Sequence, residues 1–185
     1  MRIGFRYLPI AACALAGAAL TSCGSPGEAS GTLAPPAEAD DAYTYDTTAA
    51  PPGAELTVET PPIDSGTQTE LTASGLQPNR AYGAHAHVRQ CGDSGDAAGP
   101  HFQNERDPVS PSVDPAYANS TNEIWLDFTT DAQGSGSAIS QVPFQFGDRV
   151  PASVVLHEET TASFPGEAGE AGDRIACLNV EFVPE

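Results

Sequence analysis

The four histidines are the residues of this chain best suited to chemistry. His85 and His87 form a His-x-His pair in AYGAHAHV, His101 follows a Gly-Pro, and His157 ends the apolar run ASVVLH. Alternate residues of a β-strand point to the same face of a sheet, so the paired imidazoles can reach one ion together. Neutral imidazole suits copper and zinc. The set therefore predicts a transition-metal site, the alternative being four unrelated surface or core histidines.

The beginning of the sequence indicates export. Residues 1–22 place Arg2 and Arg6 before an apolar stretch that is typical of a secretory signal peptide and short for a membrane-spanning helix. The sequence LTSC ends at Cys23 and resembles a bacterial lipobox, in which the cysteine becomes lipid-modified; an ordinary secretory signal cleaved nearby is the alternative. We therefore expect a protein exported to the bacterial cell envelope and lipid-anchored through Cys23 to the outer face of the membrane.

Composition separates a linker from a folded domain. Residues 23–41 are rich in Gly, Ser, Ala, Pro and acidic residues, which predicts a lipidated, disordered tether. Residues 42–185 are long enough for one domain with its own core. The chain has 25 acidic residues, and its seven basic residues are all arginines. No basic patch is available for phosphates, which excludes nucleic acid as a natural partner.

Short strand signals separated by turn residues run along the domain. They are rich in Val, Ile, Thr and aromatic residues, and they predict about eight strands. These lie at 42–45, 54–60, 67–74, 81–88, 123–130, 137–142, 150–157 and 174–183. No window has a sustained helical period, so we expect an all-β antiparallel sandwich or flattened barrel. The long connections 90–122 and 158–173 begin beside histidine-bearing strands and are expected to carry function.

The cysteines predict one disulfide. Cys13 lies in the predicted signal peptide and Cys23 is the predicted lipidation site, which leaves Cys91 and Cys177. In an exported protein one remaining pair is expected to be oxidised, tying the loop after the His-x-His strand to the last strand. Two free thiols acting as soft copper ligands are the alternative.

Taken together, these segments resemble the copper/zinc superoxide dismutase family. The matching pieces are GLQPNRAYGAHAHV, AGPHF, SVVLHEE and GDRIACLNV, which follow the family's order from about residue 54 to 183. The resemblance implies an eight-stranded Greek-key barrel with a copper cofactor. It implies copper ligation by His85, His87 and His157, and it makes His101 the histidine that bridges copper to zinc.

The same resemblance assigns two further features. Arg174 corresponds to the active-site arginine beside the copper, and Cys91 with Cys177 corresponds to the family's intrachain disulfide. In a strongly acidic domain a guanidinium beside the copper would give a small anion a local positive potential. A salt bridge to a carboxylate such as that of Asp173 is the alternative for Arg174.

The chain departs from the family at the zinc site. Zinc-binding members supply two more histidines and an aspartate after the bridging histidine, whereas the loop here has no further histidine. His101 with Glu105, Asp107, Asp114 or Glu123 would make a poor, carboxylate-rich zinc site, so we do not expect zinc as a cofactor. The connection 158–173 is also shorter than the family's electrostatic loop. The chain therefore resembles the copper-only branch of the family.

Without zinc, another acceptor must hold the second ring nitrogen of His101. Glu123 and Asp127 are the candidates, and a solvated acidic residue on a strand face is the alternative for either one.

The resemblance implies copper-dependent dismutation of superoxide to oxygen and hydrogen peroxide, with His101 also acting as the proton source. A non-enzymatic copper-binding or buffering lipoprotein on the same fold is the alternative, and a structural or adhesion domain with a degenerate site is a second. Proteins that handle Cu(I) tend to use Met and Cys, which this domain lacks in free form, and the presence of Arg174 favours turnover. Family members occur as monomers and as dimers, so the sequence leaves the oligomeric state open.

Overall fold

The computed structural model describes residues 27–184, which form nine β-strands and one short 3₁₀ helix. The strands are β1 Glu28–Thr32, β2 Ala42–Thr44, β3 Glu55–Glu59, β4 Thr67–Ser74, β5 Ala81–His87, β6 Phe128–Thr129, β7 Gly136–Val142, β8 Ser153–His157 and β9 Arg174–Asn179. The 3₁₀ helix is Gly95–Ala98 and lies in the connection between β5 and β6.

The strands form two antiparallel sheets. One has the order β1-β3-β4-β7 and the other the order β2-β9-β8-β5-β6. The chain changes sheet after β1, β2, β4, β6 and β7. Side chains alternate between the core face and the solvent face along a strand. In β3, for example, Leu56 and Val58 are buried whereas Glu55 and Glu59 are exposed. The all-β, two-sheet fold class expected from the sequence is confirmed.

One strand was not expected, and it corrects the predicted domain boundary. β1 lies within the segment 23–41, which the sequence predicts to be a disordered tether. In the structure Glu28–Thr32 pairs with all of β3, and Leu33 behind it is 1% exposed. A composition poor in apolar residues does not prevent an edge strand, whose backbone hydrogen bonds need no large side chains. The tether prediction is therefore wrong from residue 27 onward, and the folded domain includes these residues.

Gly31 shows why a small residue suits this edge strand. A Cβ atom at this position would lie 2.6 Å from the Cβ of Ala42 and 3.0 Å from Cδ1 of Leu178. The absence of a side chain lets β1 approach β2 and β9 closely.

The predicted strand at 123–130 is also only partly correct. Only Phe128–Thr129 forms β6, whereas Glu123 and Trp125 make isolated bridges to Gln103 and His85. The apolar and β-branched residues of this segment suggested a continuous strand, but its first half instead delivers side chains to the histidine cluster described below.

The predicted disulfide is confirmed. Cys91 and Cys177 are bonded, with Cα atoms 5.8 Å apart, and they join the loop after β5 to β9. The predicted signal peptide 1–22 and the lipidation site Cys23 lie outside the described residues. Within residues 27–184, no helix has the length and apolar character needed to span a bilayer.

Candidate metal centre

Three of the four histidines lie on two paired strands. His85 and His87 are on β5, and β8 runs antiparallel beside it with His157 opposite Gly83. The alternate residues Ala84 and Ala86 point into the core between the sheets. The two β5 histidines therefore face outward from the five-stranded sheet, beneath the long connections.

The fourth histidine comes from the connection after β5. His101 forms an isolated antiparallel bridge with His87, which places its ring against the other three. The ring centroids of His101 and His85 are 4.0 Å apart. One ligand atom from each of the four histidines lies within 4.8 Å of every other. The structure thus brings together all four histidines that the sequence analysis singled out.

Hydrogen bonds fix the tautomers of three of the rings. His87 Nδ1 donates to the carbonyl oxygen of Gly99 at 2.8 Å, and His157 Nδ1 donates to that of Gly172 at 3.4 Å. His101 Nδ1 donates to Glu123 Oε2 at 2.8 Å. Because Nδ1 carries the proton in each ring, Nε2 is left with a lone pair.

His85 has the other tautomer, with its proton on Nε2, and Thr161 fixes it. The Thr161 hydroxyl donates to Asp127 Oδ1 at 2.6 Å, so its oxygen accepts from His85 Nε2, also at 2.6 Å. The lone pair of His85 is therefore on Nδ1, a buried atom with no hydrogen-bond partner. Sequence reasoning missed Thr161, because a threonine in an irregular connection belongs to no ligand pattern.

Ligand atoms from all four rings lie close to one another. His87 Nε2 and His157 Nε2 are only 3.3 Å apart, and neither carries a proton to donate to the other. Two such nitrogens repel unless a cation lies between them. Two imidazoles bonded to one ion at about 2.1 Å lie at most about 4.2 Å apart, so the set needs only a small inward shift to bind a transition metal. The donor chemistry and the arrangement fit such an ion.

Burial keeps three of the four imidazoles neutral. His85 and His87 are fully buried and His157 is 4% exposed. Burial, followed by the charge of His101, lowers the pKa of His157 to about 3. The same two causes hold the pKa values of His85 and His87 well below the ordinary range. At neutral pH these three imidazoles therefore present lone pairs rather than protons.

Glu123 is the acceptor that orients His101. Its Oε2 accepts from His101 Nδ1 and from Trp125 Nε1 at 2.7 Å, and its Oε1 accepts from Gln103 Nε2 at 2.8 Å. The carboxylate is 1% exposed, so all three contacts are shielded from water. Glu123 therefore makes the contact with His101 that the sequence predicted for it.

Asp127 is placed differently from the prediction. It was a candidate to hold His101, but its carboxylate receives the Thr161 hydroxyl and the backbone N–H groups of Thr161 and Ala84. Asp127 Oδ1 lies 4.0 Å from His85 Nε2. Asp127 therefore acts on His85 through Thr161 and not on His101.

The other carboxylates considered for a zinc site have local partners or face solvent. Asp107 accepts from the Ser112 hydroxyl and the Val109 N–H, and Asp114 accepts from the Ala116 N–H. Glu105 is exposed. In residues 27–184, the one group of three or more metal-ligating side chains gathered at a common point is the four-histidine cluster.

A cavity of about 870 Å³ opens onto the cluster and contains Arg174 in its lining together with His101 and His157. The Arg174 guanidinium donates from Nη1 to the backbone oxygen of Gly95 at 2.9 Å. No described carboxylate, including that of Asp173, lies within 4.0 Å of it. The salt-bridge alternative for Arg174 is therefore wrong among the described residues.

Comparisons with known proteins bear on the fold. No protein-family profile matches the chain, and no curated protein sequence matches it. Among solved structures, the chain is similar to the Cu/Zn superoxide dismutase from Brucella abortus. That similarity has 22% identity and a TM-score of 0.53, and it covers 76% of this chain and 96% of the other.

A SOD-like protein from Bacillus subtilis is also similar. The chain matches it with 17% identity and a TM-score of 0.51, over 68% of this chain and 89% of the other. A double mutant of a SOD-like protein from Bacillus subtilis matches with 19% identity and a TM-score of 0.52, over 67% and 87%. The protein has the fold shared by copper/zinc superoxide dismutases and SOD-like proteins.

Proposed function

We propose that the protein is a copper-dependent superoxide dismutase that works without a normal zinc site. The observation that carries this proposal is the set of four histidines, each with one ring nitrogen bonded to the protein and each with a ligand atom within 4.8 Å of those of the other three. Imidazoles arranged in this way suit copper. Bound copper would supply the one-electron chemistry that converts two superoxide anions and two protons into oxygen and hydrogen peroxide.

The protein's own residues divide into ligands and a proton carrier. His85, His87 and His157 are buried and would hold the metal. The side chain of His101 is 15% exposed and lines the cavity, which makes it the most accessible of the four. Its Nδ1 proton is fixed on Glu123, so Nε2 is the atom at which a proton would be held and passed to the peroxide product.

The contact between His101 and Glu123 also supports function without zinc. The resemblance gives this histidine the role of bridging two metals, one on each ring nitrogen. Here Nδ1 carries a proton shared with a buried carboxylate and has no lone pair for a second ion. Glu123 thereby takes over the orienting role that zinc would have.

Arg174 would serve the anionic substrate. A half-buried guanidinium held by a backbone carbonyl keeps its full positive charge for a ligand in the cavity. In a chain with a formal net charge of −18, such a local potential would offset the repulsion felt by an approaching superoxide anion.

Metal analysis coupled to activity tests this proposal. The full chain would be loaded with copper, with zinc, or with both, and each preparation assayed for metal content, Cu(II) EPR and superoxide removal. We expect one copper per chain, a type-2 EPR signal, and dismutation in every copper-containing sample and in no zinc-only sample. His87→Gln should lose both copper and activity. Stoichiometric copper without superoxide removal above that of free copper would instead indicate a copper-buffering protein.

We also propose export and lipid anchoring at Cys23, on the strength of the LTSC sequence. Expression of the wild type and of Cys23→Ser in a bacterial host, followed by membrane fractionation and mass measurement, tests this. The wild type should be found in the membrane fraction with the mass of added acyl chains, and Cys23→Ser should have neither property. Equal distribution of the two proteins would contradict the anchor.

A further inference from the structure

The arginines of the described chain are concentrated in one place. Residues 27–184 contain five arginines, and four of them line the cavity beside the histidine cluster: Arg89, Arg106, Arg149 and Arg174. Four carboxylates also line it, whereas the rest of this part of the chain has one arginine, Arg80, and twenty carboxylates. We call this space the arginine cavity. It is neutral by formal charge in a domain that is otherwise strongly acidic.

None of these guanidinium groups is neutralised by a contact ion pair. Among residues 27–184 the only ion pairs within 4.0 Å involve histidines. Arg89 and Arg149 instead donate to backbone carbonyl oxygens, at 2.8 to 3.2 Å. Arg149 also lies over the Phe102 ring, with 5.3 Å between its Cζ atom and the ring centroid. These neutral partners fix the positions of the guanidinium groups without cancelling their charge.

Arg106 has the fewest contacts of the four arginines. It is exposed, and no hydrogen bond or ion pair joins it to another described residue. It lies close enough to Arg149 to lower the pKa of that guanidinium, after the larger effect of burial. Two like charges are therefore close enough to interact, and neither forms an ion pair within 4.0 Å with a described carboxylate.

The carboxylates of the lining are poorly placed to fill that role. Asp107 accepts from Val109 and Ser112, and Glu123 is buried in its own network. The remaining two, Asp96 and Glu170, are exposed; Asp96 is near enough to interact with the charge of Arg174, but neither forms an ion pair within 4.0 Å with any of the four arginines.

The size of the arginine cavity exceeds what a diatomic substrate needs. One water molecule occupies about 30 Å³ in the liquid. A cavity of about 870 Å³ lies instead in the range of about 300 to 1,000 Å³ that is typical of small-molecule sites. Arginine forks match the geometry of carboxylate and phosphate groups in particular.

We propose that the arginine cavity binds a second ligand beside the metal centre, an oxyanion with two or more negative charges such as a polycarboxylate or a phosphate. Arg89, Arg106 and Arg149 hold it, and Arg174 remains available to the substrate. The proposal goes beyond dismutation and does not depend on it, because the site needs neither copper nor turnover.

Calorimetric titration of the metal-free full chain at low ionic strength tests the proposal, with citrate and inorganic phosphate as separate probes. Working without metal prevents either anion from binding by coordination. We expect saturable binding of one anion per chain by at least one probe, weakened by added salt. The stronger of the two probes identifies whether carboxylate or phosphate groups are preferred.

Two arginine substitutions form a matched pair. Arg106→Gln and Arg80→Gln each remove one positive charge, but only Arg106 lies in the cavity. Loss of a charge-assisted hydrogen bond should weaken binding about tenfold or more in Arg106→Gln, with little change in Arg80→Gln. Arg89→Gln provides a second cavity variant, and thermal unfolding of each variant checks that it is folded.

Three results would overturn the proposal. The first is no saturable binding of either probe to the wild type. The second is equal weakening by Arg106→Gln and Arg80→Gln, which would indicate a general effect of net charge. The third is acetate binding as tightly as citrate, because a site for a multiply charged anion must discriminate against a single charge.

Discussion

Replacing Glu123 with glutamine tests how the protein holds its candidate metal ligands. The carboxylate accepts three hydrogen bonds, from His101 Nδ1, Trp125 Nε1 and Gln103 Nε2. A glutamine amide has one oxygen with two lone pairs and an NH₂ group that only donates. At least one of the three donors must then face another donor.

The size of the effect follows from that mismatch. One buried donor and the new amide group each lose a partner, at about 1–3 kcal/mol apiece, so Glu123→Gln should lower the free energy of unfolding by about 2–6 kcal/mol. Because the acceptor for His101 Nδ1 changes from a buried carboxylate to at best a neutral amide oxygen, His101 is held less firmly, and copper affinity should fall by about 10- to 100-fold. Denaturant unfolding of the metal-free protein measures the first effect, and copper competition with a chelator measures the second.

Glu170→Gln is the matched control for this experiment. Glu170 lines the same cavity but is exposed, so its replacement should change stability by no more than about 0.5 kcal/mol and leave copper affinity unchanged. If Glu123→Gln were as stable as the wild type and bound copper as tightly, the reasoning that this carboxylate positions His101 would be refuted.

Three further perturbations have defined outcomes. Thr161→Val removes the oxygen that accepts from His85, so copper affinity should fall about tenfold or more while Thr161→Ser restores it; equal affinity in all three proteins would contradict the contact. Replacing Cys91 and Cys177 by alanine opens a covalent link between residues 86 positions apart, and the chain-entropy model gives a loss of about 4–5 kcal/mol, measurable by denaturant unfolding. An unchanged denaturation midpoint would argue against that estimate. Arg174→Ala should retain copper but lose much of the dismutation rate and its dependence on ionic strength, whereas an unchanged rate at low ionic strength would refute electrostatic steering.

The metal-ligating side chains were the most predictable part of the site. The alternation of His85 and His87 fixes their common face wherever the segment forms a strand, because side chains alternate with a period of two. The Cys91–Cys177 pair followed from counting cysteines in a chain expected to be exported. Both inferences depend on local geometry or on elimination, and neither requires knowledge of the tertiary packing.

Other contacts depended on packing that no local pattern encodes. Thr161 contacts His85 across 76 positions of sequence, and the residues around Thr161 form no pattern typical of metal ligands. Asp127 and Glu123 are four residues apart, yet Glu123 contacts His101 whereas Asp127 acts on His85 through Thr161. β1 was missed because its composition resembles a linker, whereas its backbone supplies the pairing.

The early start of β1 limits how far a membrane-attached domain can stand from its bilayer. If Cys23 is acylated, five residue steps separate it from Glu28, the first residue of β1. Even a fully extended chain covers only about 18 Å over that interval. Such a short linker would hold the domain within roughly its own radius of the lipid headgroups, restrict its rotation, and confine the proposed reaction to the water layer immediately above the membrane.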